Sequence, residues 1–474
     1  MNQPVTAHPK IKKVLFIHSA HYDDKGRLVQ SKGWWNRLTT VNVEKLGLLI
    51  LAAMTPSHIK VEKIEEYFQD VDFNTDADVI GIHAQVMQLK RAQEIAKEFK
   101  KRGKIVIMGG FLPTMHPELI EDYVDAYCVG EAEGVWLQML HDIEHGQLKK
   151  SYQQDKPFPL EDLPVPRYDL ADKSRMAVLP VQATRGCPFV CEYCSIIEFY
   201  QKRYRLRPVA DVVRDIKASK SRQLSFVDDN LMEDVVYSKE LFRAMKDLKV
   251  GWGTQCTVNI AKDPELLQLA KEAGCVFVAV GFESLSQKNL NQVAKGFNRV
   301  SDFEKAIQKI HASGIAVHAL IVFGFPEDTQ ETFDETVEWL EKMGVSIAEF
   351  FLYTPYPKTP LGKKVFDSGM IVDKDLSHFR ESYVVFKHPH MSADEIQRGY
   401  WRALRRFYSL RSILLRLWRG KYKLKHYHLL SNLYYMYKVR RGIVPVYFGA
   451  GNEVPKDVSK VSKDKSTGAQ AFAQ

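Results

Sequence analysis

Two successive series of alternating apolar segments constrain the fold of this chain more than any other feature of its sequence. In the first series, strand-like runs lie at 14–17, 59–64, 79–82, 105–108 and 126–129. Helical patterns separate them, and in 91–102 the apolar residues Ala92, Ile95, Ala96 and Phe99 recur at helix spacing. This rhythm predicts an α/β fold, a doubly wound Rossmann-like domain over residues 1–150.

The second series begins after a polar segment with four prolines. Its strand-like runs lie at 178–184, 224–227, 252–258, 277–281, 316–323 and 347–352, and helical patterns such as 209–219 and 264–273 separate them. Six β/α repeats predict a partial (β/α)6 barrel of the TIM type over residues 178–390. Functional side chains are then expected at the carboxyl ends of its strands.

The remaining segments predict the domain limits. Pro157, Pro159, Pro164 and Pro166 interrupt residues 151–177 and favour an extended linker. Residues 391–453 form a basic, aromatic pattern with helical spacing, and the polar residues 454–474 predict a disordered tail.

Composition indicates a cytoplasmic protein without a disulfide framework. The first 13 residues lack the apolar run of a signal peptide, and no stretch approaches the ~20 apolar residues that cross a bilayer. Of the six cysteines, Cys128, Cys256 and Cys275 stand alone on apolar runs, and we interpret them as small buried side chains.

The other three cysteines, Cys187, Cys191 and Cys194, are spaced four and three residues apart after the first barrel strand. Three thiolates can bind three irons of a 4Fe-4S cluster and leave the fourth iron open. A closed zinc site normally needs a fourth Cys or His ligand, and none follows at the usual spacing, although folding can bring a distant histidine close. Zinc therefore remains the second interpretation, and an electron-transfer cluster would need a protein ligand on every iron.

This Cys-x-x-x-Cys-x-x-Cys segment resembles the signature of the radical S-adenosylmethionine (SAM) superfamily. The resemblance covers about residues 178–361. It implies that the open iron binds SAM, that an external donor such as flavodoxin or ferredoxin reduces the cluster, and that a 5'-deoxyadenosyl radical then abstracts hydrogen from an unactivated carbon.

Further segments resemble the cofactor-binding loops of the same superfamily, in the same order along the chain. Residues 226–230, 280–284, 323–327 and 354–361 resemble its second-, fourth-, fifth- and sixth-strand elements. Taken singly, each also fits an ordinary helix cap or turn. The resemblance implies that the SAM site contains Tyr193, Asp228, Asp229, Glu283, Ser284 and Gly324.

The N-terminal domain resembles the cobalamin-binding domain of the class B subgroup. Residues 109–118 and 129–134 look like two of its recurring loops, although the Asp-x-His-x-x-Gly signature of cobalamin mutases is absent. His18, His21 and His83 also fit ordinary core or surface positions. The resemblance implies a corrinoid near His83, Gln85, Gly109, Gly110, Thr114, Gly130 and Glu131.

These resemblances predict cobalamin-dependent methylation of an unactivated carbon on a small-molecule or lipid-like substrate. Corrinoid-assisted oxidation or cyclisation, modification of transfer RNA, and a non-catalytic cobalamin or iron-sulfur binding module remain open as alternatives.

The net charge of +9 comes from one region, because residues 401–445 contain twelve Lys or Arg and no Asp or Glu. With its tryptophans and tyrosines, this region fits peripheral contact with a membrane. A helical cap with a solvated basic face fits it as well. RNA is a third interpretation, which the absence of a recognisable RNA-binding tail disfavours.

Overall fold

The structure is a computed structural model that describes residues 10–23, 25–30, 44–174, 176, 178–445 and 452–453. The chain divides into two compact units. Unit 1 comprises Met1–Gly33 and Lys45–Asp172, and unit 2 comprises Trp34–Glu44 and Lys173–Gln474. The tail predicted at 454–474 lies outside the described residues.

Unit 1 contains a six-stranded parallel sheet with the strand order β2-β1-β3-β4-β5-β6. The strands are β1 (Lys13–His18), β2 (Lys60–Glu65), β3 (Val79–His83), β4 (Ile105–Gly109), β5 (Ala126–Val129) and β6 (Ser151–Gln153). The helices between them are α1 (Leu46–Met54), α2 (Leu89–Lys101), α3 (Phe111–Met115) and α4 (Trp136–Glu144).

Both faces of this sheet are covered by apolar cores. Along β1, Val14 and Phe16 join the core that includes Trp136 of α4, whereas Leu15 and Ile17 join the core on the opposite face. Burial on two faces explains why β1 has no polar alternation and forms a continuous apolar run. The doubly wound prediction is confirmed.

The segment predicted as a linker begins instead with a strand. Residues Ser151–Gln153 pair with β5 as β6, with the Tyr152 hydroxyl donating to the Asp142 carboxylate of α4 at 2.7 Å. Unit 1 extends to Asp172. Three residues are too few to show a period in the sequence, so a tertiary contact decides this strand.

Unit 2 contains a second six-stranded parallel sheet with the order β14-β13-β12-β11-β10-β7. Its strands are β7 (Leu179–Val181), β10 (Gln223–Phe226), β11 (Gly251–Cys256), β12 (Cys275–Glu283), β13 (Ala316–Phe323) and β14 (Ile347–Leu352), and a two-stranded ribbon of β8 (Thr184–Arg185) and β9 (Arg205–Leu206) follows β7. The helices up to residue 367 are α5 (Ser195–Phe199), α6 (Val209–Ser219), α7 (Val235–Met245), α8 (Pro264–Glu272), α9 (Gln287–Gln292), α10 (Val300–Ala312), α11 (Thr332–Met343) and α12 (Pro360–Asp367).

The strand order in unit 2 follows the order of the chain, as six successive β/α repeats require. The prediction of a Rossmann-like sheet followed by a partial barrel is therefore confirmed. Cys128, Cys256 and Cys275 are buried on strands, as their apolar neighbours indicated.

The C-terminal region adds three helices and a small ribbon to unit 2. These are α13 (Ala393–Phe407), α14 (Leu410–Arg419), α15 (Lys425–Arg440), β15 (Ile443–Val444) and β16 (Asn452–Glu453). Helix α13 begins with a capping box, in which Ser392 accepts from the Glu395 amide and Glu395 accepts from the Ser392 amide. Trp401, Leu404 and Tyr408 are buried, so this part of the region packs as a cap.

The cap covers the last strand of the barrel sheet, β14, and no described strand pairs with its outer edge. Peptide groups along this edge are bonded by residues that follow it in the chain. Arg416 and Asn432 donate to the Ser346 carbonyl at 2.6 and 3.0 Å, Tyr408 donates to Ala348 at 2.7 Å, Tyr400 donates to Phe350 at 2.9 Å, and the Leu352 amide donates to Glu381 at 2.6 Å.

Within the described residues, no helix is both long enough and apolar enough to cross a membrane.

Candidate active site

The cysteine loop begins directly after β8 at a residue that must be glycine. Gly186 has φ +80°, and a Cβ atom there would lie 1.9 Å from the Arg203 carbonyl oxygen. Its amide donates to the Asp229 carboxylate at 3.2 Å. The chain therefore turns sharply just before Cys187, at the carboxyl end of the barrel sheet.

The three thiols lie in a largely desolvated environment. Cys191 is buried, while Cys187 and Cys194 are half-buried. Burial raises the pKa of Cys191 to about 11 and that of Cys194 to about 12, whereas the positive charge of Lys295 lowers both. The Asn230 side-chain amide donates to the Cys187 sulfur at 3.7 Å. Thiolates are thus favoured here only together with positive charge, which a metal cluster would bring.

The spacing of the thiols is compatible with a four-iron cluster, which takes one thiolate at each of three corners. Within the described residues, no three His, Cys, Asp or Glu side chains converge on the position of a single metal ion.

Backbone and side-chain contacts tie the cysteine loop to two later segments. The Glu192 amide donates to the Val293 carbonyl at 3.1 Å, and the Leu361 amide donates to the Glu192 carbonyl at 3.0 Å. The Phe189 and Phe297 rings stack at 3.8 Å. The loop is therefore held from both sides, including by the predicted sixth-strand turn.

Asp228 and Asp229, predicted near SAM, hold the backbone that leads into the cysteine loop. The Asp228 carboxylate accepts from the Ala183 amide at 3.0 Å and also from the Thr184 amide. Burial raises the pKa of Asp228 to about 7 and that of Asp229 to about 6. Both carboxyl groups accept hydrogen bonds from backbone amides of the protein, and they thereby position the loop.

Glu283 and Tyr193 meet at a cation that the sequence did not reveal. Lys295 Nζ lies 2.5 Å from Glu283 Oε1 and 3.3 Å from the Tyr193 hydroxyl oxygen. Burial alone would lower the pKa of Lys295, but the charges of Glu283 and Cys191 outweigh it and raise that pKa. Glu283 itself has φ +65°, an uncommon conformation for a residue with a side chain.

Ser284 and Gly324 are joined through a buried Asn–Asp pair. Asn289 donates to the Ser284 hydroxyl at 3.2 Å and to the Asp328 carboxylate at 2.8 Å. Asp328 in turn accepts from the Gly324 amide at 2.8 Å. This network connects the ends of β12 and β13, the two strands that the fourth- and fifth-strand motifs follow.

A second acidic group near this site was also missed by sequence reasoning. The Tyr356 hydroxyl donates to Glu381 Oε1 at 3.2 Å, and Glu381 has φ +61°. Both side chains are only half-buried, yet burial raises the pKa of each, and the charge of Glu283 adds to the increase at Glu381. The two glutamates thus differ in their partners. Glu283 is paired with the Lys295 ammonium, whereas Glu381 accepts from the Tyr356 hydroxyl.

In unit 1, the predicted corrinoid residues lie at the carboxyl ends of three adjacent strands, β3, β4 and β5. The Thr114 hydroxyl donates to the Gly110 carbonyl at 2.7 Å and accepts from the Gly130 amide at 2.9 Å. Gly110 has φ +105°, and a Cβ atom there would lie 2.8 Å from the Ala84 carbonyl oxygen. Open space adjoins Gly109 and Gly130.

Buried imidazoles lie beside this edge. His18 contacts Glu65 at 2.7 Å through Nδ1 and Gln88 at 3.1 Å through Nε2. Burial lowers the pKa of His18 and raises that of Glu65 to about 7. The Nδ1 atom of His83 is buried without a hydrogen-bond partner in the described structure.

The remaining predicted corrinoid residues lie nearby. The Gln85 amide donates to the Gln88 side chain at 2.6 Å, and Glu131 accepts from Gln154 at 2.9 Å. This sheet edge combines glycine turns, whose backbone a ligand can contact closely, with a buried nitrogen of His83 that has no hydrogen-bond partner in the described structure. Such an edge fits a large ligand such as cobalamin.

Comparisons with known proteins match both the motif and the fold. A family profile described as the radical SAM superfamily matches residues 181–340. The bacteriochlorophyllide d C-12(1)-methyltransferase of Chlorobaculum tepidum is 28% identical over an alignment of 394 residues, which covers 79% of this chain and 85% of that protein. The hopanoid C-2 methylase of Rhodopseudomonas palustris is 26% identical, over 78% of this chain and 72% of that protein.

Among solved structures, the radical SAM methyltransferase TsrM from Kitasatospora setae, with cobalamin and a [4Fe-4S] cluster bound, superposes with a TM-score of 0.64. The alignment covers 91% of this chain and 99% of TsrM at 16% identity, so the two proteins share a fold. Taken with the cysteine motif, the profile match identifies residues 181–340 of this chain as a radical SAM domain, and the protein is therefore an enzyme.

Proposed function

We propose that this enzyme methylates an unactivated carbon of a small-molecule or lipid-like substrate, using a 4Fe-4S cluster, SAM and cobalamin. The observation that carries the proposal is the meeting of three thiols on one loop at the barrel's carboxyl end, next to the Glu283–Lys295 pair. The methyltransferase names of the relatives support the reaction type.

We assign the cluster to Cys187, Cys191 and Cys194. Three thiolates leave one iron corner without a protein ligand, and that corner suits the amino and carboxylate groups of SAM. When bound and reduced, the cluster supplies the electron that cleaves the sulfonium of SAM.

The neighbouring side chains suit the zwitterionic end of SAM. The Lys295 ammonium can donate to its carboxylate, and the Glu283 carboxylate can accept from its amino group. Tyr193, which follows Cys191 closely and contacts Lys295, would line the same space. Ser284, Gly324 and the two aspartates act by holding these loops in place.

For cobalamin, we assign the edge at the carboxyl ends of β3, β4 and β5. The open space beside Gly109 and Gly130 would let a flat ligand contact the backbone, and Thr114 would hold the two turns together. The presence of cobalamin in TsrM, which shares the fold, supports this assignment.

The substrate would enter near the Tyr356–Glu381 pair. Glu381 accepts a hydrogen bond from Tyr356, and burial raises the pKa of Glu381, which favours the protonated form of its carboxyl group. Because the hydroxyl proton of Tyr356 is donated to Glu381, the protonated carboxyl group of Glu381 would be the donor of the pair, which suits a substrate with an oxygen acceptor. An external flavodoxin or ferredoxin would supply the electron.

The test is anaerobic reconstitution followed by turnover with SAM that carries a labelled methyl group. Labelled product together with 5'-deoxyadenosine is the expected result. Formation of 5'-deoxyadenosine without label in any product would instead support corrinoid-assisted oxidation or cyclisation. A reconstituted protein that binds no cobalamin would contradict the assignment of unit 1.

A further inference from the structure

We propose that the outer face of α14 docks onto the surface of an anionic lipid bilayer. Leu410, Leu414 and Trp418 are 51%, 53% and 78% exposed and recur every four residues, so they lie along one side of the helix. Ile413 and Leu417 are buried on the inner side. The three exposed side chains therefore contribute little to the core. A helix face that contacts only water normally carries polar residues at such positions.

Further exposed apolar side chains lie in the segment that follows this helix in the chain. Leu424, Leu430 and Tyr437 are also more than two-fifths exposed. Of the twelve large apolar side chains exposed in the described part of the chain, six lie between residues 410 and 437. This concentration distinguishes the region from the scattered exposed apolar residues that any protein surface has.

The charge that surrounds the apolar side chains is positive and largely uncompensated. Arg411, Lys421, Lys423 and Lys425 are exposed, and none forms an ion pair with a residue that the structure describes. Each Lys or Arg near an anionic membrane surface contributes about 1 kcal/mol.

Basic residues on the side that faces the barrel behave differently. Arg402 pairs with Asp334 at 2.9 Å, and Arg406 pairs with Glu338 at 2.9 Å. Arg416 is fully buried and donates to carbonyl groups. These charges are used within the protein, whereas those of Arg411, Lys421, Lys423 and Lys425 remain available to a partner.

A bilayer fits this combination better than the other partners considered. Tryptophan and leucine side chains insert at the boundary between headgroups and acyl chains, while lysine and arginine contact the phosphates. RNA would favour exposed aromatic rings among the basic residues, but here leucines predominate on the exposed face. The surface would hold the enzyme at the membrane without crossing it.

The experiment is co-sedimentation of the full-length protein with two kinds of vesicle. One kind contains phosphatidylcholine and phosphatidylglycerol in equal parts, and the other contains phosphatidylcholine alone. We expect binding to the anionic vesicles that weakens as salt is added, because salt screens the contribution of Arg411 and Lys421. A wild-type protein that does not bind the anionic vesicles overturns the proposal.

The double variant Leu414→Ser, Trp418→Ser should bind anionic vesicles at least about tenfold more weakly, because two inserting side chains are lost. The matched control is Val236→Ser, since Val236 is 79% exposed but lies on α7. It should bind like the wild type. Unchanged melting temperature and 5'-deoxyadenosine formation would show that the double variant folds.

Two results would assign the surface to another partner. If the double variant sediments with vesicles as the wild type does but loses self-association in light scattering, the surface is a protein interface. If it retains vesicle binding but loses transfer RNA binding in a gel-shift assay, the surface binds nucleic acid. Either result overturns the membrane proposal. Because the readout is binding, failure here would leave the methylation proposal unaffected.

Discussion

The two parallel sheets end in edges of different chemistry. In unit 1, the turns that follow β4 and β5 present glycine backbone, and the buried histidine and glutamate beside them are hydrogen-bonded to each other. In unit 2, the loop of three thiols lies near an ion pair between Glu283 and Lys295. The carboxyl edge of the first sheet thus suits a large ligand that is held by its shape. The carboxyl edge of the second sheet suits a small charged ligand that is held by electrostatic interactions.

The largest effect is expected from Cys191→Ala, which tests whether the thiols of unit 2 bind a cluster. Loss of one ligand should reduce iron after anaerobic reconstitution from about four per chain to nearly none, and should abolish 5'-deoxyadenosine formation. Iron analysis and product chromatography measure both. Cys256→Ala removes a buried cysteine of β11 and should retain the cluster. Full iron content in the Cys191 variant would contradict the assignment.

The next effect concerns the ion pair of unit 2. Lys295→Met leaves Glu283 buried without its cation, which should lower the free energy of unfolding by about 3–5 kcal/mol. Urea unfolding measures this change, and SAM binding should weaken in equilibrium dialysis. The control is Lys288→Met, whose pair with Glu327 is exposed and should contribute less than about 1 kcal/mol.

Adding Glu283→Gln to the Lys295 variant should restore much of the stability, because the unpaired charge is then gone, but it should not restore SAM binding. Equal stability of the Lys295 and Lys288 variants would show that the buried pair does not matter energetically.

A smaller effect is expected in unit 1 from Gly110→Ala. A Cβ atom at φ +105° would clash with the Ala84 carbonyl, so the free energy of unfolding should fall by about 1–3 kcal/mol. Gly109→Ala should leave the stability nearly unchanged, because nothing lies within 4 Å of its added Cβ. Under our proposal, both variants bind cobalamin more weakly in spectrophotometric titration. Unimpaired binding by the Gly109 variant would argue against the assigned edge.

The smallest effect is a pH dependence that tests whether the His18–Glu65 pair of unit 1 is neutral. In the folded protein, the pKa of Glu65 is raised to about 7 and that of His18 lies well below 6.5. Between about pH 4.5 and 6.5, the folded pair holds one proton on Glu65, and the unfolded pair holds one on His18. The proton counts are equal, so the pair gives stability no pH dependence in this range.

In Glu65→Gln, only His18 titrates, and its pKa is depressed by folding. The unfolded chain then binds a proton below pH 6.5 that the folded chain does not. Relative to the wild type, the variant should therefore lose up to about 1.4 kcal/mol of stability per pH unit as the pH falls from 6.5 to 4.5. Urea unfolding across this range measures it, and parallel pH curves for the two proteins would contradict a neutral pair.

The sequence predicted the strands well because both sheets are buried on two faces. Runs such as Ala316–Phe323 and Ile347–Leu352, which are apolar except for one polar residue each, are readable from local pattern alone, and the structure has the same bounds. The short strand β6 was missed because three residues carry no period.

Site residues were predictable where a local motif contains them and missed where folding assembles them. The cysteine spacing is visible in eight consecutive residues. Lys295, by contrast, lies 12 residues beyond Glu283 and 102 beyond Tyr193, and Glu381 follows Tyr356 by 25. A buried ion pair or a hydroxyl contact over such separations has no sequence period, so only the fold reveals it.

The hydrogen bonds along β14 also protect this strand from pairing with a strand of another molecule. A partial barrel, unlike a closed one, ends in a strand that could recruit a strand from another molecule. Tyr400 and Tyr408 occupy the carbonyls that such a recruit would need. A chain shortened before α13 would accordingly be prone to aggregate through this strand, even though every cysteine of the motif would still be present.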